Sequence, residues 1–240
     1  GNVSSQYISS LLMIAPTLKD GLVLELTGEV ISRPYIDMTL AIMQQFGARA
    51  KWSDERTVCV EPVRYSPIPY YIESDWSAAS YWYEMVALAA DPGAEVSLPG
   101  LFQNSLQGDS KVAELFSRLG VETRFCDNAV WLIKCSCDDG AFECNLVEQP
   151  DLAQTIVVTC CMMGKHFRIS GLQTLRIKET DRIAALQKEL GKLGFEIGVE
   201  GDDAMSWNGE MISDRSEDCG VAIDTYEDHR MAMAFAPVAL

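Results

Sequence analysis

The chain has 240 residues with 48% apolar side chains, 17 Gly and 9 Pro, a composition typical of a globular protein of one or two domains. Its 19 basic and 35 acidic residues give a formal net charge of −16, which disfavours nucleic acid and anionic membranes as partners because both require a basic face. No apolar run approaches the ~20 residues that span a bilayer. We therefore expect a soluble, cytoplasmic protein with neither nucleic-acid nor membrane partners.

An internal repeat of about 73 residues organises the chain. A bulky apolar residue followed by Gly precedes a short strand-like run three times, and these glycines are spaced by 73 and 74 residues. They are Gly47, Gly120 and Gly194. Upstream of each Gly, an Asp is predicted to open a helix, and the spacing is 72 residues in both intervals. These residues are Asp37, Asp109 and Asp181.

Each repeat is predicted to contain a buried helix followed by a half-exposed one. The predicted buried helices cover 4–15, 77–90 and 152–163, and a fourth begins near 229. Segments 78–87 and 231–240 are apolar nearly all round, which indicates burial on every side, whereas the second helices carry a single apolar stripe. Alternating segments predict strands at 22–26, 57–60, 95–98, 130–133 and 166–169.

The predicted unit is therefore βαβαββ, and the chain holds about 3.3 such units. Because the first helix lacks its leading strand, we expect these residues to be a piece of a longer repeat protein. The segment 65–73 contains two prolines that favour extended backbone, and it is the best candidate for a crossover between domains. This predicts a boundary between 1–74 and 75–240.

The eight cysteines are interpreted as free thiols, most of them buried in apolar segments, and not as a disulfide framework. Cys135 and Cys137 share one face of a predicted strand. With only two His and no CxxC motif, however, the sequence does not favour a metal site. We predict that no metal is bound.

Charged residues gather at the predicted helix starts, in segments 176–182 and 227–230. Helix N-termini favour anions, so basic residues there indicate an anion site. Ser4 and Ser32 stand at equivalent starts and Asp151 heads the third buried helix, although capping of the helix is the favoured interpretation for each of these three taken singly. His229 and Arg230 open an apolar helix, and burying both is costly unless an anion is bound.

Six segments together resemble the 5-enolpyruvylshikimate-3-phosphate synthase family. They run in order along the whole chain, and the last two are the most specific. The segments are 3–6, 32–37, 104–109, 150–151, 176–182 and 228–233. The resemblance implies the α/β (α+β type) inside-out barrel fold of enolpyruvyl transferases, built from βαβαββ units with buried helices and with the active site between two domains. It makes 1–74 the remainder of the shikimate 3-phosphate domain, one incomplete unit. Residues 75–240 would be most of the second domain, with two units and the start of a third.

The resemblance also implies transfer of the enolpyruvyl group of phosphoenolpyruvate to the 5-hydroxyl of shikimate 3-phosphate, in aromatic amino acid biosynthesis, without metal or cofactor. Asp151 and Lys178 would contact the attacking hydroxyl, Glu179 would handle the methylene proton, and His229 would assist. Binding of shikimate 3-phosphate is assigned to Ser4, Ser5, Gln6, Ser32, Tyr35, Asp151 and Lys178. Binding of phosphoenolpyruvate is assigned to Gln6, Arg182 and Arg230, because guanidinium groups suit a planar carboxylate.

Several groups of the family do not occur in this sequence, namely a basic N-terminal set, a Gly-Asn-Ala-Gly loop and a Lys near the C-terminus. We therefore expect the chain to be inactive alone. Because part of the first domain is missing, we also expect the apolar side chains of Leu11, Leu12 and Met13 to lack the residues that would cover them. The full-length protein is expected to be a monomer. Two alternatives stay open: UDP-N-acetylglucosamine enolpyruvyltransferase activity, and a non-catalytic repeat scaffold for a protein partner. Binding of shikimate 3-phosphate would discriminate among the three.

Overall fold

The computed structural model describes residues 4–28, 30, 33–126, 129–212 and 220–239. The chain divides into two compact units, which are described separately. Unit 1 comprises Gly1–Glu73 and Asn104–Gly108, and unit 2 comprises Ser74–Gln103 and Asp109–Leu240. Within the described ranges, no helix is both long enough and apolar enough to cross a membrane.

Unit 1 is a three-stranded antiparallel sheet packed against two helices. Its helices are α1 (Ser5–Ile14), followed by a 3-10 turn (Ala15–Thr17), and α2 (Arg33–Gln45). Its strands are β1 (Leu22–Glu25), β2 (Ala50–Trp52) and β3 (Thr57–Val60), in the order β1-β3-β2. Val60 lies opposite both Leu22 and Ala50, so β3 is the central strand. The core consists of residues from both helices and the sheet, including Ile8, Leu12, Ile36, Leu40 and Val58.

Two expectations for unit 1 are corrected by the structure. Leu12 is fully buried in the core, whereas Leu11 and Met13 are 48% and 50% exposed, so the prediction of missing cover is wrong for Leu12 alone. Asp37 does not open its helix, because α2 already begins at Arg33. The Asp37 carboxylate instead accepts a hydrogen bond from Trp52 Nε1 at 2.7 Å, which ties the helix to β2.

Unit 2 is built around three buried helices that pack against one another. They are α3 (Trp76–Leu88), α5 (Ala153–Met162), which follows a 3-10 turn (Pro150–Leu152), and α7 (His229–Phe235), which continues into a 3-10 turn (Ala236–Ala239). The prediction of buried helices is confirmed most fully for α5, in which nine of ten residues are buried. Trp82 and Met233 remain 46% and 44% exposed, so α3 and α7 are not covered on every side.

Two sheets and two further helices surround these three. The first sheet is antiparallel, in the order β4-β6-β5, from β4 (Glu95–Pro99), β5 (Val121–Cys126) and β6 (Ala129–Lys134). The second has the order β7-β8-β10-β9, from β7 (Phe142–Asn145), β8 (Phe167–Ser170), β9 (Gly198–Glu200) and β10 (Ala204–Trp207), with only β7 and β8 parallel. The helices are α4 (Val112–Ser117), after a 3-10 turn (Gly108–Lys111), and α6 (Arg182–Lys192), preceded by a 3-10 turn (Gln173–Ile177).

All five strands predicted from alternating segments are present. The sequence did not indicate β7 and β10, and the run after Gly194 forms a strand only from Gly198, because Phe195 makes an isolated bridge to Met211 instead. Gly47, Gly120 and Gly194 all have positive φ, at 87°, 79° and 92°, which confirms that they end helices. At Gly120 a Cβ would also lie 2.8 Å from the Cys135 carbonyl oxygen.

The seven cysteines in the described ranges are free thiols, as predicted. Cys160 and Cys161 are buried in α5, and burial raises the pKa of the Cys161 thiol to about 12. Cys59, Cys137 and Cys144 are half-buried and Cys126 and Cys135 are exposed, so the prediction that most of the cysteines are buried is wrong for the described residues.

Candidate active site

Three helix starts in unit 2 bring six charged side chains together, and we call them the ionic cluster. The 3-10 turn before α5 supplies one residue, the start of α6 supplies three, and the start of α7 supplies two. The members are Asp151, Lys178, Glu179, Arg182, Asp228 and Arg230. With three cations and three carboxylates, the formal charge of the cluster is zero.

Arg182 is the centre of the ionic cluster, although its side chain is only 1% exposed. Its Nε donates to Asp228 Oδ2 at 2.7 Å and its Nη1 donates to Asp151 Oδ1 at 3.0 Å. Its Nη2 donates to Glu179 Oε2 at 2.7 Å. A buried guanidinium is tolerated only when it is paired and hydrogen-bonded, and here all three of its nitrogens have carboxylate acceptors.

Asp228 performs two tasks with one fully buried carboxylate. It caps α7 by accepting a hydrogen bond from the Arg230 backbone N–H at 2.9 Å, and it pairs with Arg182. Burial would raise its pKa, but the hydrogen bond and the charge of Arg182 outweigh burial and lower the pKa overall. No role of its own was predicted for Asp228, although an Asp immediately before a helix is an ordinary capping signal.

Asp151 is surrounded by three cations. Its carboxylate lies 3.4 Å from Lys178 Nζ, 3.0 Å from Arg182 Nη1 and 3.1 Å from Arg230 Nη2. Burial alone would raise the pKa of this carboxyl, but the charges of Arg230, Lys178 and Arg182 together lower it, so the group is ionised. Capping does not explain Asp151, because the N-cap of α5 is Leu152, which has no side-chain hydrogen bond.

Two buried polar side chains hydrogen-bond to members of the ionic cluster, and neither was predicted as a site residue. Tyr81 of α3 hydrogen-bonds with Arg230, and burial raises the pKa of this tyrosine more than the charge of Arg230 lowers it. When the Gln154 amide is assigned the orientation that satisfies both neighbours, its nitrogen donates to the Asp151 carbonyl oxygen and its oxygen accepts from Arg182 Nε, both at 3.2 Å. Both residues lie within apolar helical segments, so no sequence signal separates them from ordinary core positions.

Glu179 and His229 are the exposed members of the predicted catalytic set. The Glu179 side chain is 52% exposed while Oε2 contacts Arg182. His229 takes the first position of α7 and is exposed, whereas the Arg230 side chain is only 16% exposed. The expectation that His229 and Arg230 are buried together is therefore wrong for His229, because successive helical positions point in different directions.

The other predicted binding residues belong to unit 1. Ser4 is the N-cap of α1 and accepts a hydrogen bond from the Gln6 backbone N–H at 3.4 Å, so the capping interpretation is confirmed for this residue. Ser5 is half-buried and Gln6 is exposed, both in the first turn of α1, and Tyr35 is half-buried in the first turn of α2. Ser32 lies outside the described residues.

Comparison with known proteins gives consistent results. A profile of the family described as EPSP synthase (3-phosphoshikimate 1-carboxyvinyltransferase) matches residues 1–240. A 3-phosphoshikimate 1-carboxyvinyltransferase of Bacteroides fragilis is 52% identical over 240 residues, covering 100% of this chain and 57% of its own length. One of Shewanella pealeana is 38% identical over 241 residues, covering 100% of this chain and 54% of its own length. The chain thus spans a little over half the length of these relatives.

Solved structures support the same fold. An EPSP synthase of Acinetobacter baumannii superposes with a TM-score of 0.73 at 19% identity, covering 99% of this chain and 54% of that one. An enolpyruvyl transferase of Streptomyces tendae gives a TM-score of 0.53 at 14% identity, covering 87% of this chain and 47% of that one. The predicted α/β fold with buried helices is confirmed.

Proposed function

The chain belongs to the EPSP synthase family, and on that premise we propose that the protein transfers the enolpyruvyl group of phosphoenolpyruvate to the 5-hydroxyl of shikimate 3-phosphate and releases phosphate. The observation that carries this proposal is the ionic cluster, in which three cations hold Asp151 ionised beside the half-exposed Glu179. Such a cluster supplies both the anion-binding charges and the acid–base groups that the reaction needs.

Arg182 and Arg230 are proposed to bind the carboxylate of phosphoenolpyruvate, with Gln6 as a further contact. A guanidinium presents paired donors that match a planar carboxylate. Both side chains are already held by carboxylates of the ionic cluster, Arg182 by three and Arg230 by Asp151. Arg230, which has one carboxylate partner among the described residues, therefore requires little reordering, which favours affinity. Arg182 would have to exchange a carboxylate partner, such as the half-exposed Glu179, for the substrate.

Shikimate 3-phosphate is proposed to bind through hydroxyl and backbone donors of unit 1 and through Asp151 and Lys178 of unit 2. The first turn of α1 supports this, because its N–H groups and the dipole of a ten-residue helix favour a phosphate. Ser4 caps α1, and Ser5, Gln6 and Tyr35 lie in the first turns of α1 and α2. Ser32 is proposed with them. We also propose that 1–74 belongs to the domain that binds this substrate and 75–240 to the second domain.

The acid–base steps require two groups that begin in opposite protonation states. When the 5-hydroxyl oxygen bonds to C2 of phosphoenolpyruvate, the hydroxyl loses its proton and the methylene carbon gains one. Asp151, kept ionised, would accept the proton of the hydroxyl and release it to solvent after turnover, with Lys178 next to it to stabilise the negative charge that develops on the oxygen. Glu179 would enter the reaction protonated, its ion pair with Arg182 given up, and would deliver this proton to the methylene carbon. It would then take a proton back from the resulting methyl group as the C2–O bond to phosphate breaks, and His229 would assist at the same end.

This reaction balances without a metal or organic cofactor, because the phosphate of phosphoenolpyruvate is itself the leaving group. We propose a cytoplasmic location, which the free thiols of the described cysteines support. We also propose that the full-length protein is a monomer.

The proposal is tested by phosphate release from the two substrates, with the full-length protein carrying this sequence. Glu179→Gln should lower kcat by ~10²-fold or more while KM for shikimate 3-phosphate stays nearly constant. Glu200→Gln is the matched control, since Glu200 is also half-exposed and pairs with an arginine, Arg168, at 2.9 Å. Its kcat should not change.

Three results would contradict this function or the role of Glu179. Unchanged turnover in Glu179→Gln would remove that residue from the mechanism. Turnover with UDP-N-acetylglucosamine in place of shikimate 3-phosphate would favour the other enolpyruvyl transferase. Binding of neither acceptor would favour a non-catalytic scaffold.

A further inference from the structure

A strained turn directly precedes the Asp228 cap of α7. Tyr226 and Glu227 have φ of 56° and 55°, and they are the only residues other than Gly with positive φ in the described ranges. The turn is closed by the Asp228 N–H, which donates to the Thr225 carbonyl at 2.9 Å. Side chains disfavour this left-handed backbone, so two consecutive examples persist only where neighbouring contacts enforce them.

The hydrogen bonds that hold this segment come from one buried carboxylate in the second half of α6, and Lys188 Nζ of the same helix lies 5.5 Å from the centre of the Tyr226 ring. Glu189 is fully buried, and its Oε1 accepts from the Tyr226 hydroxyl at 2.6 Å. Its Oε2 accepts from the Asp224 backbone N–H at 2.9 Å and lies 2.7 Å from Lys192 Nζ. Glu189 therefore holds the chain at two points immediately before Asp228.

We propose that Glu189, acting through Tyr226, is a positioning residue that enforces the left-handed turn and thereby fixes Asp228 and Arg230 in the ionic cluster. Only one residue, Glu227, separates Tyr226 from Asp228, so relaxation of the turn would redirect the start of α7. Neither Glu189 nor Tyr226 belongs to the ionic cluster. As far as it concerns activity, this inference rests on the proposed function.

The geometry of α6 explains why loss of the hydrogen bond between Tyr226 and Glu189 would change the ionic cluster. The same helix carries Arg182 at its first position, and Arg182 binds Asp228 at 2.7 Å. The turn is thus held between two fixed attachments to one helix, through Arg182 on one side and Glu189 on the other. If the Glu189 attachment is removed, the strain at Tyr226 and Glu227 is no longer opposed and Asp228 shifts relative to Arg182.

The test uses Tyr226→Phe in the full-length protein, which removes only the hydroxyl. We expect KM for phosphoenolpyruvate to rise by roughly 10-fold while KM for shikimate 3-phosphate changes by less than about 2-fold, because the strain acts on Arg230 and Arg182. Amide exchange of the segment 224–232 should become faster. Tyr83→Phe is the matched control: it removes a hydroxyl in the same unit that bonds Thr123 Oγ1 at 2.9 Å, and it should leave both KM values unchanged.

Substitution at Glu227 separates a positioning role from general damage. Glycine adopts the left-handed backbone without steric cost, so Glu227→Gly added to Tyr226→Phe should restore KM for phosphoenolpyruvate to within about 3-fold of the unaltered protein. In the otherwise unaltered protein, Glu227→Val should reproduce the Tyr226→Phe effect, since a β-branched residue strongly disfavours positive φ. Glu227 is exposed, so neither change disturbs the core.

An unchanged KM for phosphoenolpyruvate in Tyr226→Phe would overturn the inference, and so would a loss that glycine at 227 does not restore. If Tyr226→Phe fails to fold, equal KM values in Glu227→Val and Glu227→Gly overturn it instead. Absence of turnover in the unaltered protein would count against the proposed function alone. In that case, faster exchange of 224–232 in Tyr226→Phe, but not in Tyr83→Phe, supports the positioning role, and equal exchange overturns it.

Discussion

Glu84 offers a pH-dependent test of how the buried helices of unit 2 pack. It lies on α3 with 0% exposure, and neither carboxylate oxygen has a hydrogen-bond partner within the described residues. One turn earlier on the same helix, Ser80 Oγ lies within hydrogen-bond distance, 3.1 Å, of Thr155 Oγ1 of α5, so this side of α3 faces the helical core. Burial raises the pKa of the Glu84 carboxyl well above its usual range, and the group is held as the neutral acid.

Because the pKa of Glu84 is raised in the folded protein, the free energy of unfolding must depend on pH. Between the ordinary pKa of the unfolded chain and the raised pKa of the folded protein, the native state keeps a proton that the unfolded state has lost. The contribution of Glu84 to the free energy of unfolding is therefore at its maximum below the pKa that the group has in the unfolded chain. It falls by roughly 1 kcal/mol per pH unit as the pH rises toward the pKa of the folded protein. Replacing a buried, unpartnered polar group by an apolar one of similar size should add about 1–3 kcal/mol.

We therefore expect Glu84→Met to be more stable than the unaltered protein, and the difference should grow from pH 5 to pH 8. The measurement is urea unfolding at several pH values, followed by the fluorescence of tryptophans that include the buried Trp76 of α3. Glu122→Gln is the control, because hydrogen bonding to Arg124 lowers the pKa of Glu122 and its contribution should be constant over this range. A stability difference for Glu84→Met that does not vary with pH would refute the reasoning.

Two further predictions concern the proposed reaction. Arg230→Lys keeps the charge but loses the paired donors, so KM for phosphoenolpyruvate should rise roughly 10-fold more than KM for shikimate 3-phosphate in steady-state assays, and equal increases would indicate a structural role. The 240-residue chain alone should show cooperative unfolding yet release no measurable phosphate, since loss of even one charge-stabilising donor can cost ~10²-fold in rate; near full-length rates from the chain alone would contradict the assignment of missing groups.

The sequence predicted the repeat and its buried helices because both depend on local patterns. The glycines at 47, 120 and 194 and the apolar segments of α3, α5 and α7 are visible without any tertiary information. The strand β7 was missed because it pairs in parallel with β8, across the intervening helix α5, and not with a strand that directly follows it in a hairpin. Its register is decided by tertiary packing and not by its own composition.

Most members of the ionic cluster could be predicted from the sequence, but which residues form ion pairs with one another could not. Arg182 was expected to face substrate, and its near-complete burial depends on Asp228 and Asp151, which lie 46 and 31 residues away. From the sequence, Glu189 resembled an ordinary solvent-exposed charge on an amphipathic helix. The left-handed turn at Tyr226 had no signal, because neither Tyr226 nor Glu227 is a Gly or Asn.

The two contacts that α6 makes through Arg182 and Glu189 also restrict where insertions and deletions can occur in the sequence. Arg182 and Glu189 are seven residues apart, which in an α-helix is about 10 Å of rise and nearly two full turns. A single inserted or deleted residue between them would rotate one attachment by about 100° relative to the other, and both could not then reach their partners. Insertions and deletions in this part of the sequence should therefore be confined to the flanking loops, while the segment 182–189 behaves as a spacer of fixed length.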